Sequence, residues 1–310
     1  MNRAPMHAPI VRYHESIVVG LPPIPTRLGV LGLLAMAGCV TRDPPKYPLD
    51  PVPLVEAAAI VNANISAIPG TLRATGSVDG RFVMPEGGTR TYHADGVLFY
   101  RAPSFFRFDL KSFGDTQMLL GSNAKDYWCY SKADEATVCG RHGVAEDLPV
   151  GIPARPDQLI HALGLTPIPV AGAPAPPSLV AGASENVRVV QRVVDNVQQL
   201  LFLVQDDEGR VLIEKEYWVD RLAPYLVRRV VFRNGHGAVE MESVLDDYRA
   251  LKGSDLQLAH QMTADWPGIG AQMRFDIRQW SAHPQIGPTA VQFATPAECR
   301  RAEGSVGYDR

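Results

Sequence analysis

The chain has 310 residues, a formal net charge of −3, 46% hydrophobic residues and only 20% charged residues. This apolar content is sufficient for a folded core and excludes a mainly disordered chain. The near-neutral charge argues against a nucleic-acid-binding protein, because binding phosphates requires a basic face. The mean hydropathy of −0.05 excludes a multi-spanning membrane protein. The 27 glycines and 26 prolines favour a protein with many turns.

A short apolar run near the N-terminus is typical of a secretory signal peptide. Arg27 precedes this run, residues 28–38, which is too short to cross a bilayer. Residues 36–39 (Met-Ala-Gly-Cys) resemble the bacterial lipobox, with methionine in place of the usual leucine. The resemblance implies cleavage after Gly38 and attachment of diacylglycerol to the sulfur of Cys39. An ordinary signal peptide with a chance cysteine is the alternative.

A lipid on Cys39 would tie the protein to a membrane. Each buried CH₂ contributes ~0.8 kcal/mol, so two or three acyl chains hold stably where one holds weakly. Residues 40–48 form a proline-rich polar tether that would hold the folded domain off the membrane surface. Residue 40 is valine and not the aspartate that retains some lipoproteins at the inner membrane. We therefore expect a bacterial envelope protein that faces the periplasm, lipid-anchored in the outer membrane.

The chain beyond the tether is predicted to begin with a helix and to continue as strands. In residues 54–68 the larger aliphatic side chains recur at helical spacing, and Pro69 with Gly70 ends the helix. From Thr71 onward apolar and polar residues alternate, as they do in half-buried antiparallel strands. The first predicted strands are residues 72–78, 90–100, 104–110, 116–122 and 125–131.

The alternation is interrupted at residues 144–183. A short helix is predicted over residues 155–164, with Pro156 early and Gly164 at its C-terminal end, followed by a segment rich in proline and alanine. Strands then resume over residues 187–194, 198–205, 210–220, 225–233, 238–246, 258–265 and 271–280. About ten or more strands with few crossovers predict a mainly β fold with one antiparallel sheet.

Two cysteines lie on adjacent predicted strands. Cys129 and Cys139 flank a predicted turn at residues 131–135, and a disulfide across this hairpin would contribute about 2–3 kcal/mol. Two buried thiols are the alternative, and Cys299 has no obvious partner in the sequence. Because no Cys/His pair shows the ligand spacing of a zinc site, we predict no metal and no cofactor.

The sequence contains no familiar catalytic motif: no Gly-x-Ser-x-Gly, Walker A, strand-linked Gly-x-Gly-x-x-Gly or His-Glu-x-x-His. Two glutamate pairs on predicted strands could serve as the paired carboxylates of a glycosidase: Glu214 with Glu216, and Glu240 with Glu242. We favour a solvated outer face on which the second pair lies opposite Arg229 or Arg233, and predict a protein that is not an enzyme. The histidines are interpreted as surface or turn residues: His93, His142, His161, His236, His260 and His283.

The strands carry more large apolar side chains than two short helices can cover. A sheet this wide must curl or pair, and if it curls around the helices its concave face becomes an apolar cavity of the kind that binds ligands. A closed core built from the same residues is the alternative. The candidate cavity residues are Phe99, Phe106, Phe108, Trp128, Leu201, Leu203, Trp218, Phe232, Met241 and Phe275.

Several short motifs follow one another between the first helix and the last strands. They are residues 72–76 (LRATG), 95–103 (DGVLFYRAP), 106–108 (FRF), 120–128 (LGSNAKDYW) and 217–220 (YWVD), with the helical insertion between the last two. In this order they resemble the LolA/LolB superfamily of periplasmic lipoprotein carriers and outer-membrane lipoprotein receptors. The similarity spans roughly residues 54–295.

The resemblance implies an unclosed antiparallel β half-barrel with a helical lid over a hydrophobic cavity. The cavity would hold acyl chains of lipoproteins or lipids for transport or outer-membrane insertion, in a monomer with no nucleic-acid partner. The helix over residues 155–164, or residues 166–183, would form the lid. In the receptor branch an exposed apolar loop serves transfer to the membrane. A non-transport sensor or scaffold lipoprotein of the same fold, recognising a lipid or a protein, is the alternative.

The resulting domain division has four parts. They are a signal peptide over residues 1–38, the lipidated cysteine and tether over 39–53, the lipid-binding domain over 54–295 and a polar tail over 296–310.

Overall fold

The computed structural model describes residues 52–83, 87–133, 135–142, 155–168, 188–194, 197–206 and 208–299. The helices and strands in this part of the chain are α1 (Leu54–Ser66), β1 (Thr71–Val83), β2 (Thr89–Arg101), β3 (Phe105–Ser112), β4 (Asp115–Ser122), β5 (Asp126–Ser131), β6 (Ala136–Arg141), α2 (Pro156–Ala162), β7 (Arg188–Val194), β8 (Val197–Gln205), β9 (Val211–Asp220), β10 (Val227–Arg233), β11 (Val239–Ala250), β12 (Gln257–Trp266) and β13 (Ala271–His283). The predicted signal peptide, Cys39 and most of the tether lie outside the described residues, as does most of segment 166–183.

All of these strands join one sheet, in the order β6-β5-β4-β3-β2-β1-β13-β12-β11-β10-β9-β8-β7. Strands β1–β6 and strands β7–β13 each pair antiparallel with their neighbours in sequence, and the two halves of the chain meet where β1 pairs with β13. Strands β6 and β7 form the two edges, so the sheet does not close on itself. The predicted fold class, a mainly β protein with an unclosed antiparallel sheet of half-barrel type, is confirmed.

Both helices pack against one face of the sheet, which we call the inner face; the opposite face is the outer face. Helix α1 contributes Ala58, Val61 and Ile65, which are spaced three and four residues apart and so form one stripe. Inner-facing side chains such as Leu72 and Phe275 complete the same core. The hydrophobic core therefore lies between the inner face and the two helices.

Helix α2 is short and is defined by its ends. Pro156 occupies the first helical turn, and the side chain of Gln158 accepts a hydrogen bond from the N–H of Arg155 at 3.1 Å. The helix ends before Gly164, whose φ of +67° favours glycine and whose N–H donates to the carbonyl of His161. The helix predicted from the sequence at this position is thus present, with seven residues.

The described residues all belong to one compact unit, Lys46–Arg310. This unit contains its own sheet, helices and core, which are what an independently folding domain requires. Among its described helices, none has the length and apolar character needed to cross a bilayer.

Residues 284–299, which we call the C-terminal strap, run from the end of β13 to β6. Phe293 is buried and packs edge-to-face on Phe105 at the start of β3, with ring centres 5.6 Å apart. Thr295 accepts a hydrogen bond from Asn123 and donates one to Asp126. The strap ends in a disulfide between Cys139 and Cys299, which adds a covalent link to these contacts.

This disulfide corrects the bridge predicted between Cys129 and Cys139. In the β5–β6 ladder Cys129 lies opposite Val138, whereas Cys139 lies opposite Trp128. Because side chains on a strand alternate between faces, this offset of one residue sends the two cysteines to opposite sides of the sheet. Cys129 is buried among the inner-face core residues, and Cys139 meets the strap on the outer side.

Candidate functional site

The ten residues predicted to line a cavity divide equally between the two faces of the sheet. Five belong to the core on the inner face: Phe106, Phe108, Phe232, Met241 and Phe275. The other five point to the outer face: Phe99, Trp128, Leu201, Leu203 and Trp218. Their assignment to an inner cavity is corrected, because their immediate neighbours on the same strands, such as Tyr100, Phe202 and Tyr217, are the inner-facing residues.

Each outer-facing aromatic ring has its own local partner. The guanidinium of Arg229 lies over the Trp218 ring at 4.7 Å, and that of Arg73 lies over Phe99 at 5.9 Å. Trp128 covers Gly121, where an added Cβ would come within 2.3 Å of the indole. These contacts explain how large apolar residues are accommodated away from the core.

The inner face is filled in this structure. The rings of Phe108 and Phe275 lie 5.0 Å apart, and both side chains are almost fully buried. A cavity between α1, the end of α2 and strands β10–β12 has a volume of about 20 Å³, room for about one water molecule. Pockets for small molecules are typically ~300–1,000 Å³, so this cavity does not accommodate an acyl chain without movement.

Residues 155–168, which we call the lid segment, provide much of the material that fills the inner face. The segment comprises α2 and the residues that flank it, and its buried apolar side chains belong to the same core as the sheet: Leu159, Ile160, Ala162, Leu163, Leu165 and Ile168. An acyl chain on the inner face would have to replace these side chains. Access of a ligand to this part of the inner face would therefore require the lid segment to move.

Three buried polar side chains hold the lid segment. Asn62 on α1 donates to the carbonyl of Ile168 at 3.0 Å and accepts from its N–H at 2.7 Å. Tyr100 donates to the carbonyl of Leu165 at 2.8 Å, and Ser243 donates to that of Ala162 at 2.9 Å. We call Asn62, Tyr100 and Ser243 the lid contacts. Burial raises the pKa of Tyr100, so its phenol remains a hydrogen-bond donor.

His161 on α2 belongs to this interface as well. Its Nδ1 is hydrogen-bonded to the hydroxyl of Tyr217 at 2.5 Å, and its ring packs edge-on against Phe232. Burial, and secondly the charge of Lys215, lower the pKa of His161 well below 6.5, which keeps it neutral. The interpretation of His161 as a surface or turn residue is therefore wrong. The sequence contains no sign of this contact, because residues two positions apart, such as Leu159 and His161, do not lie on the same face of a helix.

The glutamate pairs considered for a glycosidase take part in structural contacts. Glu216 is buried on the outer face, where it accepts hydrogen bonds from Arg233 and Gln199 at 2.6 Å each and from Trp218 at 3.2 Å. Glu242 pairs with Arg229 at 2.8 Å, as the sequence analysis favoured. Within the described ranges, no group of three or more His, Cys, Asp and Glu side chains could hold a metal ion.

We expect Glu216→Gln to lower the free energy of unfolding at pH 7 by about 2–3 kcal/mol, because the guanidinium of Arg233 loses its buried partner. Burial alone would raise the pKa of Glu216, but the hydrogen bonds from Arg233, Gln199 and Trp218 lower it below its ordinary 4.5. The stabilisation is therefore present above about pH 4.5 and is lost as the pH falls through the lowered value. Urea unfolding at pH 7 and pH 3 measures both effects.

The matched control for this variant is Glu214→Gln, which alters an exposed carboxylate two residues away. It should change stability by no more than ~0.5 kcal/mol. Equal effects of the two substitutions would show that the Glu216–Arg233 pair contributes nothing specific.

An exposed aromatic residue occupies the tip of the β3–β4 hairpin. Phe113 is 106% exposed, and it forms a two-residue turn with Gly114. Both residues have positive φ, +50° and +86°, a conformation that favours Asn-Gly and that a phenylalanine rarely adopts. Phe113 was not among the candidate site residues predicted from the sequence, although an aromatic side chain in a short gap between two predicted strands is a recognisable signal.

The course of the chain is similar to that of three solved structures. A protein domain from Vibrio parahaemolyticus named for outer membrane lipoprotein sorting matches with a TM-score of 0.46 and 15% identity, over 73% of this chain and 91% of that chain. A DUF1329 family protein from Desulfovibrio piger matches with a TM-score of 0.47 and 10% identity, over 74% and 91%. A LolA superfamily protein from Nitrosomonas europaea matches with a TM-score of 0.44 and 8% identity, over 73% and 93%. No family model and no curated protein matches the chain.

Proposed function

We propose that this protein is a lipid-anchored protein of the bacterial envelope that binds acyl chains of lipoproteins or lipids, for their transport or insertion into the outer membrane. The acyl chains would lie between the inner face and the lid segment. The observation that supports this proposal most is how little of the described chain covers the apolar inner face. Strands with fully buried aromatic residues such as Phe106 and Phe275 are covered there only by α1, by the seven-residue α2 and by the residues that flank α2, as far as the described residues show.

Exchange of the lid segment for an acyl chain would preserve the apolar surroundings of the inner face. The chain would replace side chains such as Leu159 and Ile160 with methylene groups of similar polarity, so little hydrophobic stabilisation changes. The difference lies in the lid contacts, whose hydrogen bonds must break when the segment moves. These bonds would add to the free energy of opening, which also includes the exposure of the lid segment's own apolar side chains.

Hydrophobic contact without directional hydrogen bonds also suits a protein that passes an acyl chain on to an acceptor. A carrier that passes its ligand on requires a donor and an acceptor of comparable affinity. Attachment at Cys39 would keep the domain near the membrane, and Phe113 offers an exposed apolar side chain on the domain itself. We assign to Phe113 the part of the exposed apolar loop that the LolA/LolB resemblance implies.

A form lacking residues 1–39 should take up a fluorescent fatty acid with about 1:1 stoichiometry. In this form, Asn62→Ala should increase the apparent affinity about tenfold, because it removes two buried hydrogen bonds that hold the lid segment closed. Fluorescence titration measures both quantities.

Asn64→Ala is the matched control. Asn64 lies on the same helix and makes the same two-way pair of hydrogen bonds, but with the backbone of Gln257 on β12. It should leave the affinity unchanged. No uptake by the wild type and Asn62→Ala would contradict the proposed function, and an equal gain in both variants would contradict the role of the lid segment.

A further inference from the structure

Lys215 is a charged side chain on the inner face. It lies on β9 directly opposite Phe202 of β8 and Phe232 of β10. Its Nζ is 5.1 Å from the ring centre of Phe202, 5.8 Å from that of Phe232 and 5.9 Å from that of Tyr217. Three aromatic rings thus surround the ammonium group, an arrangement that stabilises a cation by cation–π attraction.

The ammonium group has no counter-ion among the side chains that the structure describes. No described carboxylate forms an ion pair with Lys215, and no described group accepts a hydrogen bond from its Nζ. The charges of two carboxylates, Asp157 and Glu214, act on Lys215 from a distance. Asp157 forms an ion pair with Arg155 through its Oδ2 at 2.8 Å, and Glu214 is exposed. Burial lowers the pKa of Lys215, while the charges of these two carboxylates act in the opposite direction.

Lys215 also lies beside the lid segment. His161 of α2 packs against Phe232, and the charge of Lys215 acts on His161. From Phe232 the inner face continues through Met241, which lies directly opposite it on β11, into the apolar core. A chain lying on the inner face would therefore run from an apolar region to the positive charge of Lys215.

We propose that Lys215 binds the anionic head group, a carboxylate or a phosphate, of a lipid whose acyl chain lies on the inner face. This inference rests on the proposed function and narrows its ligand class. A half-buried cation among aromatic rings gains more from an anion than a fully exposed one, because the interaction is less screened. An acylated N-terminal cysteine carries no such anion, so Lys215 favours an anionic lipid over the acyl end of a lipoprotein.

The experiment compares three twelve-carbon ligands by calorimetry with the form lacking residues 1–39: dodecanoate, dodecyl phosphate and dodecanol. The wild type should bind at least one of the two anions about tenfold more tightly than dodecanol. Lys215→Met, which keeps the length and apolar stem of the side chain, should remove this preference and leave dodecanol binding unchanged. Lys215→Arg should retain the preference. The preferred anion identifies the head group as carboxylate or phosphate.

Lys252→Met, which alters an exposed lysine, is the matched control and should behave as the wild type. Equal binding of all three ligands by the wild type, or an unchanged preference in Lys215→Met, would overturn the role of Lys215 and leave the proposed function standing. Failure of all three ligands to bind would instead contradict the proposed function. Should Lys215→Met fail to fold, Lys215→Gln provides the same comparison.

Discussion

Cys299→Ser should lower the free energy of unfolding by about 3–5 kcal/mol. The bridge joins residues separated by 160 positions, so it removes the entropy of a very long loop from the unfolded chain. It also holds the C-terminal strap, whose Phe293 would lose its packing on Phe105 when the end is released. Denaturant unfolding with and without a reductant measures the loss, and the reduced wild type should match the oxidised variant.

The control for this prediction is Cys129→Ala. Cys129 lies on the inner-face side of the sheet, away from the bridge, so this variant should keep the link between Cys139 and Cys299 and remain sensitive to the reductant. Peptide mapping under non-reducing conditions would identify the bonded cysteines. A bridge between Cys129 and Cys139 in the Cys299→Ser protein would contradict the arrangement of the two strands described above.

The strand positions could be predicted because several strands alternate cleanly. In β3 the apolar Phe106 and Phe108 are separated by Arg107, so the pattern itself fixes which residues face inward. The first helix and α2 were likewise predictable from their aliphatic spacing and from Pro156 and Gly164. These signals are local, which is why the sequence alone was sufficient for them.

The inward-facing set could not be predicted where apolar residues occur on both faces. Residues 200–203 (Leu-Leu-Phe-Leu) contain no polar position, so the run does not show that Phe202 faces inward and Leu201 outward. Trp218 lies outward because Tyr217 and Val219 on either side of it face the core, and Arg229 on the next strand covers its ring. Such pairing between strands depends on register, which the sequence pattern does not specify here.

The register of strand pairing also determines which cysteines can form the disulfide and which face of the sheet Lys215 occupies. The offset of one residue between Cys129 and Cys139 in the β5–β6 ladder places them on opposite faces. The regular pairing of β8 with β9, in which Leu200 lies opposite Tyr217 and Phe202 lies opposite Lys215, places this lysine of a charged run on the inner face. In both places the decisive fact is a long-range pairing that adjacent residues do not reveal.

Phe113→Asn should slow delivery of an acyl chain to phospholipid vesicles tenfold or more, while fatty-acid uptake stays unchanged. Inserting a phenylalanine side chain into an apolar environment gains about 1.5–3 kcal/mol, which corresponds to this change in rate if the ring contacts the membrane during transfer. Asparagine is preferred at a turn position with positive φ, so the variant should be at least as stable as the wild type. A loss of delivery could then not be attributed to a damaged fold.

The matched control is Val291→Asn, which removes another exposed apolar side chain, 77% exposed, from the C-terminal strap. Stopped-flow transfer of a fluorescent fatty acid from each protein to vesicles gives the rates, and urea unfolding gives the stabilities. If both variants slowed delivery alike, general surface hydrophobicity and not the hairpin tip would govern transfer. If neither variant slowed delivery, Phe113 would have no part in membrane contact. The strained backbone at this turn would then lack the function that we propose for it.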